Sequence, residues 1–276
     1  MTTAYSRDRF HLLDRWLATP LGQALLAQEE RLLEEAFDGI FGEQCLQLGI
    51  WGDGNRFLRL SRTQRSASVA DFAAPAATPS AIGRMHRLPI ASDSVDAVLL
   101  PHTLDFHDRP HAILREVHRV LRSDGHLVIL GFKPGGLWGL RRLIPGAAMP
   151  PAAQRLISDR RLRDWLQLLD LRIHGLTRYF FHWPLPGNKG TRSQAWEQRG
   201  QRWWPELAAC YMLTAQKRLM TLTPVRKPWR SRPKVVGGLV EPSTRVSPLR
   251  IDQNSKALYG WRLSRQSRPG RLGCVA

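Results

Sequence analysis

Three short stretches carry residues whose types and spacing suit ligand-binding chemistry. The first is the turn Gly49-Ile50-Trp51-Gly52-Asp53-Gly54, which follows the apolar run Gln44 to Ile50. Glycines after a first strand let backbone amides approach a nucleotide-like ligand closely. The second is Asp71, near the end of the short strand Ser68 to Phe72 and 22 residues beyond Gly49. A carboxylate about 20 residues past such a turn, at the tip of the second strand, is placed to accept both hydroxyls of a ribose; the competing role is to cap the loop APAATPS. The third is Leu100-Pro101-His102, closing another apolar run. Residues at the carboxyl end of a central parallel strand face the ligand crevice, so His102 reads either as a ligand contact or as a structural loop residue. His102, His107 and His111 do not read as a metal site, because their gaps straddle a strand end and a helix start. His107 and His111 flank that helix start and read as solvent residues.

The elements that must position these residues are clearest from Leu88 to Phe132. Val95, Ala97, Val98, Leu99 and Leu100 form the nearly continuous apolar run of a parallel strand covered on both faces. A helix follows, with Asp108 as its expected cap and Pro110 in its first turn. Its apolar stripe is Ile113, Leu114, Val117, Val120 and Leu121, with Arg115, Glu116 and Arg119 off it. Ser123-Asp124-Gly125 is expected to stop the helix, and His126 to Phe132 is the next strand. Strand, helix and strand of these lengths make one right-handed βαβ unit.

Leu88-Pro89, the strand SVDAVLL, a histidine after it, and LREVHRVLRSDG before the next strand occur in order in this chain. This combination resembles the class I S-adenosylmethionine (SAM) methyltransferases, in particular the type 11 methyltransferase domain. The resemblance is strong over about 45 residues and weak over roughly residues 40 to 220. It implies an α/β fold: a Rossmann-like, seven-stranded, mostly parallel sheet with helices on both faces and the last strand antiparallel. It also implies SAM as cofactor, with Gly49, Trp51, Gly52 and Asp71 as the main contacts and Met85, His86, Leu100, Pro101 and His102 behind them. His102 would touch the methionine part of the cofactor or orient a nucleophile. The chain departs from the family pattern in three places: Gln47 stands where an acid is usual, Trp51 takes the second glycine position, and no carboxylate precedes Leu88-Pro89. Trp51 has three competing placements: along the cofactor, where an aromatic face stabilises a sulfonium or stacks on adenine; filling the pocket; or beside an inserted turn that uses Gly52 and Gly54 instead.

Outside this unit, residues 7–39 read as one or two helices, with Thr19-Pro20 a helix start and Leu21, Ala24, Leu25, Leu32, Leu33 and Ala36 an apolar stripe. They either pack beside the sheet or form a lid. The glycine- and proline-rich stretch after Phe132, with Trp138, Arg141 and Arg142, occupies a place where relatives carry substrate loops. Ser158 is expected to cap a helix, followed by strands at Arg172 to Phe181 and Leu207 to Ala215. Between these strands Trp196, Trp203 and Trp204 interleave with Arg192, Arg199 and Arg202, a pattern suited to RNA or, at helical spacing, to packing.

Composition narrows the classes. The chain has 276 residues, 43% hydrophobic, enough for a sizeable core. No run approaches the ~18 apolar residues of a membrane span, and MTTAYSRDRFHLLDRW lacks a signal-peptide core. Cys45, Cys210 and Cys274 show no CxxC spacing, which argues against zinc and a disulfide framework; a reducing, cytoplasmic setting is expected. Of the net charge of +18, +10 falls on residues 226–276, which hold 12 Lys/Arg against 2 Asp/Glu. The expected organisation is a methyltransferase-like domain over 1–225, with its sheet core at 44–216, and a disordered basic tail over 226–276. The tail's expected role is weak, salt-dependent contact with nucleic acid or anionic surfaces. The expected function is transfer of the SAM methyl group to an unidentified acceptor. The alternative is a non-catalytic methyltransferase-like domain that binds RNA or a protein partner. An NAD-dependent oxidoreductase fits less well, since the turn lacks dinucleotide spacing. No residue is assigned a catalytic role, because methyl transfer from a sulfonium needs chiefly proximity.

Overall fold

A computed structural model describes residues 11–73, 78–136, 138–139, 156–182 and 194–218. The stretch carrying Arg141 and Arg142, Arg192, the Trp196 side chain, Cys274 and the basic segment 226–276 lie outside these residues.

The chain opens with helix α1 (11–17) and helix α2 (Pro20–Phe37). As the Thr19-Pro20 pair predicts, Thr19 Oγ1 accepts the Gly22 N–H at 3.2 Å and donates to the Trp16 carbonyl at 2.6 Å. Seven strands follow: β1 (Phe41–Leu48), β2 (Arg62–Ala70), β3 (Ala81–Ile82), β4 (Val95–Pro101), β5 (Leu121–Phe132), β6 (Leu171–Tyr179) and β7 (Cys210–Lys217). They form one sheet in the order β3-β2-β1-β4-β5-β7-β6. β1 pairs in parallel with β2 and β4, β4 in parallel with β5, and β7 antiparallel with both β5 and β6. This is the Rossmann-like methyltransferase sheet that the resemblance implies. Helices α3 (Thr103–Phe106) and α4 (Pro110–Val120) join β4 to β5, α5 (Asp159–Leu168) precedes β6, and α6 (Gln194–Trp203) lies between β6 and β7. Among the described residues no helix is long and apolar enough to cross a membrane.

Alternation along the central strands explains the two layers of core. Successive strand side chains point to opposite faces. Ala97, Leu99, Val128 and Leu130 therefore join the α2 side, with Leu25, Leu33 and Phe37. Val98, Leu100, Leu127 and Ile129 join the other side, with Ile113, Leu114, Val117 and Val120 of α4 and Leu162 and Leu166 of α5. Such two-sided burial makes the strand read as a continuous apolar run.

Several local expectations need correction. β1 and β2 each start earlier than their apolar residues suggest, since Phe41 to Gln44 pairs with Arg62 to Arg65 in a largely exposed stretch with a polar pattern. Asp108 does not cap α4; the N-cap is Arg109 without a side-chain cap bond, and its N–H is taken at 3.1 Å by Nδ1 of His107. Ser123-Asp124-Gly125 does not stop that helix, which ends at Val120. It is an irregularity within β5, where pairing with β4 jumps from Val95–Leu121 to Ala97–His126. β7 begins three residues later than expected because Pro205–Leu207 forms a 3-10 turn.

Strands β5 and β7 approach so closely at Gly131 that a Cβ there would lie 2.5 Å from the ring of Tyr211, whose hydroxyl is tied to the Ile157 carbonyl at 2.9 Å. Gly131→Ala is expected to destabilise the fold by about 2 kcal/mol through overpacking, read as a lower urea midpoint with an unchanged slope.

Candidate functional site

The carboxyl ends of β1, β2 and β4 open into a cleft whose empty volume, mouth included, is about 680 Å³. In doubly wound sheets this edge is where the ligand crevice lies. Its apolar walls are Leu13 of α1, Ile50, Phe72, Met85, Pro101 and Phe106; its polar groups come from Asp71, Thr103 and His107. Gly49 lies on its floor at φ +92°, with its N–H on the Val69 carbonyl at 2.8 Å. A Cβ at Gly49 would sit 2.7 Å from Thr103 Oγ1, so both conformation and space require glycine.

Asp71 follows β2 with a partly exposed side chain. Oδ1 accepts the Met85 N–H at 3.0 Å, and Oδ2 lies 3.1 Å from His107 Nε2. Burial by itself would raise its pKa, but the hydrogen bonds from His107 and Met85 outweigh burial and hold the carboxyl below its usual range. Asp71 is therefore an anion facing the cleft. His86 lies alongside, its ring 6.0 Å from that of His107, with a buried Nδ1 that has no hydrogen-bond partner.

Behind the cleft lies a buried polar cluster centred on Glu29 of α2, which is fully buried. Its carboxylate accepts the Trp51 Nε1–H at 2.7 Å and the Tyr179 hydroxyl at 3.0 Å, and pairs with His102 Nε2 at 2.7 Å. Trp51 and His102 pack against each other with centroids 4.3 Å apart, and His102 packs on Phe132 at 4.0 Å. Asp105 accepts the Phe132 N–H at 2.9 Å and stands 3.7 Å from His102 Nδ1, beyond hydrogen-bond length. Burial alone would lower the pKa of His102; the adjoining Glu29 charge and Asp105 outweigh it and raise the value above the ordinary 6.5. Burial raises that of Asp105 and drives that of Tyr179 well up. Ligand-type atoms of Glu29, His102 and Cys210 come within 4.8 Å of one another. The carboxylate is already met by three partners, however, and burial keeps the Cys210 thiol protonated, so this is a hydrogen-bonded core. Gln47 is fully buried as well, and its Nε2 donates to the carbonyls of Gly49 at 3.1 Å and Gly54 at 2.9 Å, bracing the glycine turn.

A methyltransferase-domain family model matches residues 42–129, the span from β1 to β5 that carries the cleft. The uncharacterized Escherichia coli K12 protein YafS is 30% identical over 227 residues, which cover 80% of this chain and 88% of YafS. The chain belongs to the class I methyltransferase family, type 11. Malonyl-[acyl-carrier protein] O-methyltransferase of Laribacter hongkongensis is 40% identical over 62 residues, 22% of this chain and 21% of that protein. A chain from a solved complex that contains the Haloferax volcanii Trm112 methyltransferase activator has the same fold. It is 15% identical, with 78% of this chain and 95% of that chain covered and a TM-score of 0.51.

Of the residues that the methyltransferase pattern singles out, Gly49, Asp71, Met85 and Pro101 line the cleft together. Trp51, Gly52, His86, Leu100 and His102 do not line it. Leu100 points into the α4-side core, and Gly52, at φ +61°, abuts Leu26. The Trp51 indole is turned inward, away from the cleft, 1% exposed and held by Glu29. His107 is not a solvent residue but a cleft residue bonded to Asp71. Sequence reasoning passed over Glu29, although an acid at the i+4 step between Leu25 and Leu33 interrupts an apolar stripe and signals a buried partner. It also passed over Ile50, Phe72, Thr103 and Phe106, which adjoin named residues but carry no distinguishing type.

Glu29→Ala is expected to cost about 3–5 kcal/mol, since it leaves His102 and two further donors buried without their acceptor. The pH dependence of stability follows from His102. Its folded pKa lies above its unfolded value, so its contribution is complete below about pH 6.5 and is lost as the pH rises through the raised folded value. The unfolding free energy, measured by urea titration, should fall over that interval, and His102→Gln should flatten the fall.

Proposed function

We propose that this chain binds SAM in the cleft beside Gly49 and Asp71 and transfers its methyl group to an acceptor. The observation that carries this reading is an ionised carboxylate, Asp71, at the tip of β2, facing a cleft walled by apolar side chains and floored by an obligatory glycine. That donor set fits the cofactor. Asp71 accepts ribose hydroxyls, Phe72, Met85 and Phe106 offer apolar surface to a purine, and Gly49 permits close backbone approach. When bound, SAM supplies a methyl group already activated by a sulfonium. The chain then has to hold the acceptor at near-attack distance and exclude water, and such positioning lowers a barrier by several kcal/mol. The cleft is charged only lightly, so Asp71 supplies orientation and the apolar walls supply burial.

A second reading, a methyltransferase-like domain that binds RNA or a protein partner without catalysis, draws support from Gln47, a neutral residue at a usually acidic place and spent on bracing the turn. The exposed Trp203 and Trp204 beside the exposed Arg199 and Arg202 also favour it.

Calorimetric titration of SAM and of S-adenosylhomocysteine into the full chain separates the two. The enzyme reading predicts micromolar binding, weakened about 100-fold in Asp71→Ala by loss of two charge-assisted hydrogen bonds. Absence of binding at millimolar ligand, from a folded sample, overturns it in favour of the non-catalytic domain.

A further inference from the structure

We infer that His107 is a positioning residue that presets the Asp71 carboxylate for a vicinal diol. The inference rests on the SAM-binding reading and extends it to a residue outside the family's cofactor motif.

The tautomer of His107 follows from its neighbours. The backbone N–H of Arg109 points at Nδ1 at 3.1 Å, so Nδ1 accepts and the ring proton sits on Nε2. His107 therefore donates to Asp71 Oδ2 at 3.1 Å, while the Met85 N–H donates to Oδ1 at 3.0 Å. A carboxylate has about two acceptor sites on each oxygen. One site on each is occupied by a donor from the protein, and one on each is left. The remaining pair sits on two neighbouring atoms, the pattern that two adjacent hydroxyls satisfy together.

The two donors come from different loops: Met85 from the segment after β3, and His107 from the link between α3 and α4. With Met85 alone the carboxylate keeps its freedom to turn about a single hydrogen bond. The second bond, on the other oxygen, fixes its plane. Asp71 needs this fixing because it sits just beyond the last paired residue of β2, where the ladder no longer holds the backbone. His107 is suited to the task, since its side chain is largely buried and its other ring nitrogen is anchored at the start of α4. Ordering the acceptor before the ligand arrives removes a cost that would otherwise fall on binding.

The test is calorimetry on the full chain with S-adenosylhomocysteine and its 2′-deoxy analogue, comparing wild type with His107→Leu, His107→Gln and His107→Asn. His107→Leu is expected to weaken S-adenosylhomocysteine about tenfold while changing affinity for the 2′-deoxy analogue less than threefold, because the analogue cannot use the diol pattern. His107→Gln places an N–H near the Nε2 position and should stay within threefold of wild type; the shorter His107→Asn should match His107→Leu. Should His107→Leu fail to fold, the Gln and Asn pair carries the comparison. Equal weakening of both ligands, or equal losses in Gln and Asn, would mean a merely structural role and overturn the inference. So would unchanged affinity in all variants. Failure of the wild type to bind either ligand would instead overturn the SAM reading itself, and this inference with it.

Discussion

The carboxylate of Glu29 is the constraint on which the arrangement of this protein depends. It is buried without access to water, and an unpaired buried carboxylate would cost several kcal/mol. It must therefore be met by donors, and the chain supplies them from three places: Trp51 after β1, His102 after β4 and Tyr179 at the end of β6. One side chain on α2 thus fastens the N-terminal helix to the carboxyl ends of strands on both sides of the sheet. Loss of this acceptor would leave three polar groups buried without a partner, so the contact acts as a unit.

The same contact decides what the cleft looks like. Drawing the indole of Trp51 toward Glu29 carries it away from the crevice, and Gly49 and Ile50 are left facing the cavity. Gln47 secures the other side of the turn through the carbonyls of Gly49 and Gly54. Two residues that depart from the family pattern therefore have structural employment in this chain: Gln47 braces the turn, and Trp51 is an indole donor to the core. The charge that faces the cleft is concentrated at Asp71, which two separate loops hold in place.

How much of this was legible in the sequence depended on whether a signal was local. The strand Val95–Pro101 and helix Pro110–Val120 were readable because burial on both faces and a 3.6-residue stripe leave patterns in consecutive residues. Asp71 was readable because its distance from Gly49 spans one crossover from the end of β1 to the tip of β2, a link that here holds only the 3-10 turn Leu58–Leu60. Glu29 was not, because its partners lie 22, 73 and 150 residues away in the chain. His107 was misread for a related reason: beside a helix start a histidine resembles a solvent residue, and only the fold brings Asp71, 36 residues earlier, against it. Trp51 was unreadable without Glu29, since an aromatic residue in a glycine turn serves equally well along, inside or away from a cleft.

The cleft beside Asp71 and the Glu29 core are separate, with Trp51 on the core side. The most direct measurement is a crystal structure of the full chain grown with S-adenosylhomocysteine. The expected result is ribose hydroxyls on Asp71, His107 still bonded to that carboxylate, and Trp51 still donating to Glu29. A ligand lying against the Trp51 indole, with its bond to Glu29 broken, would contradict it.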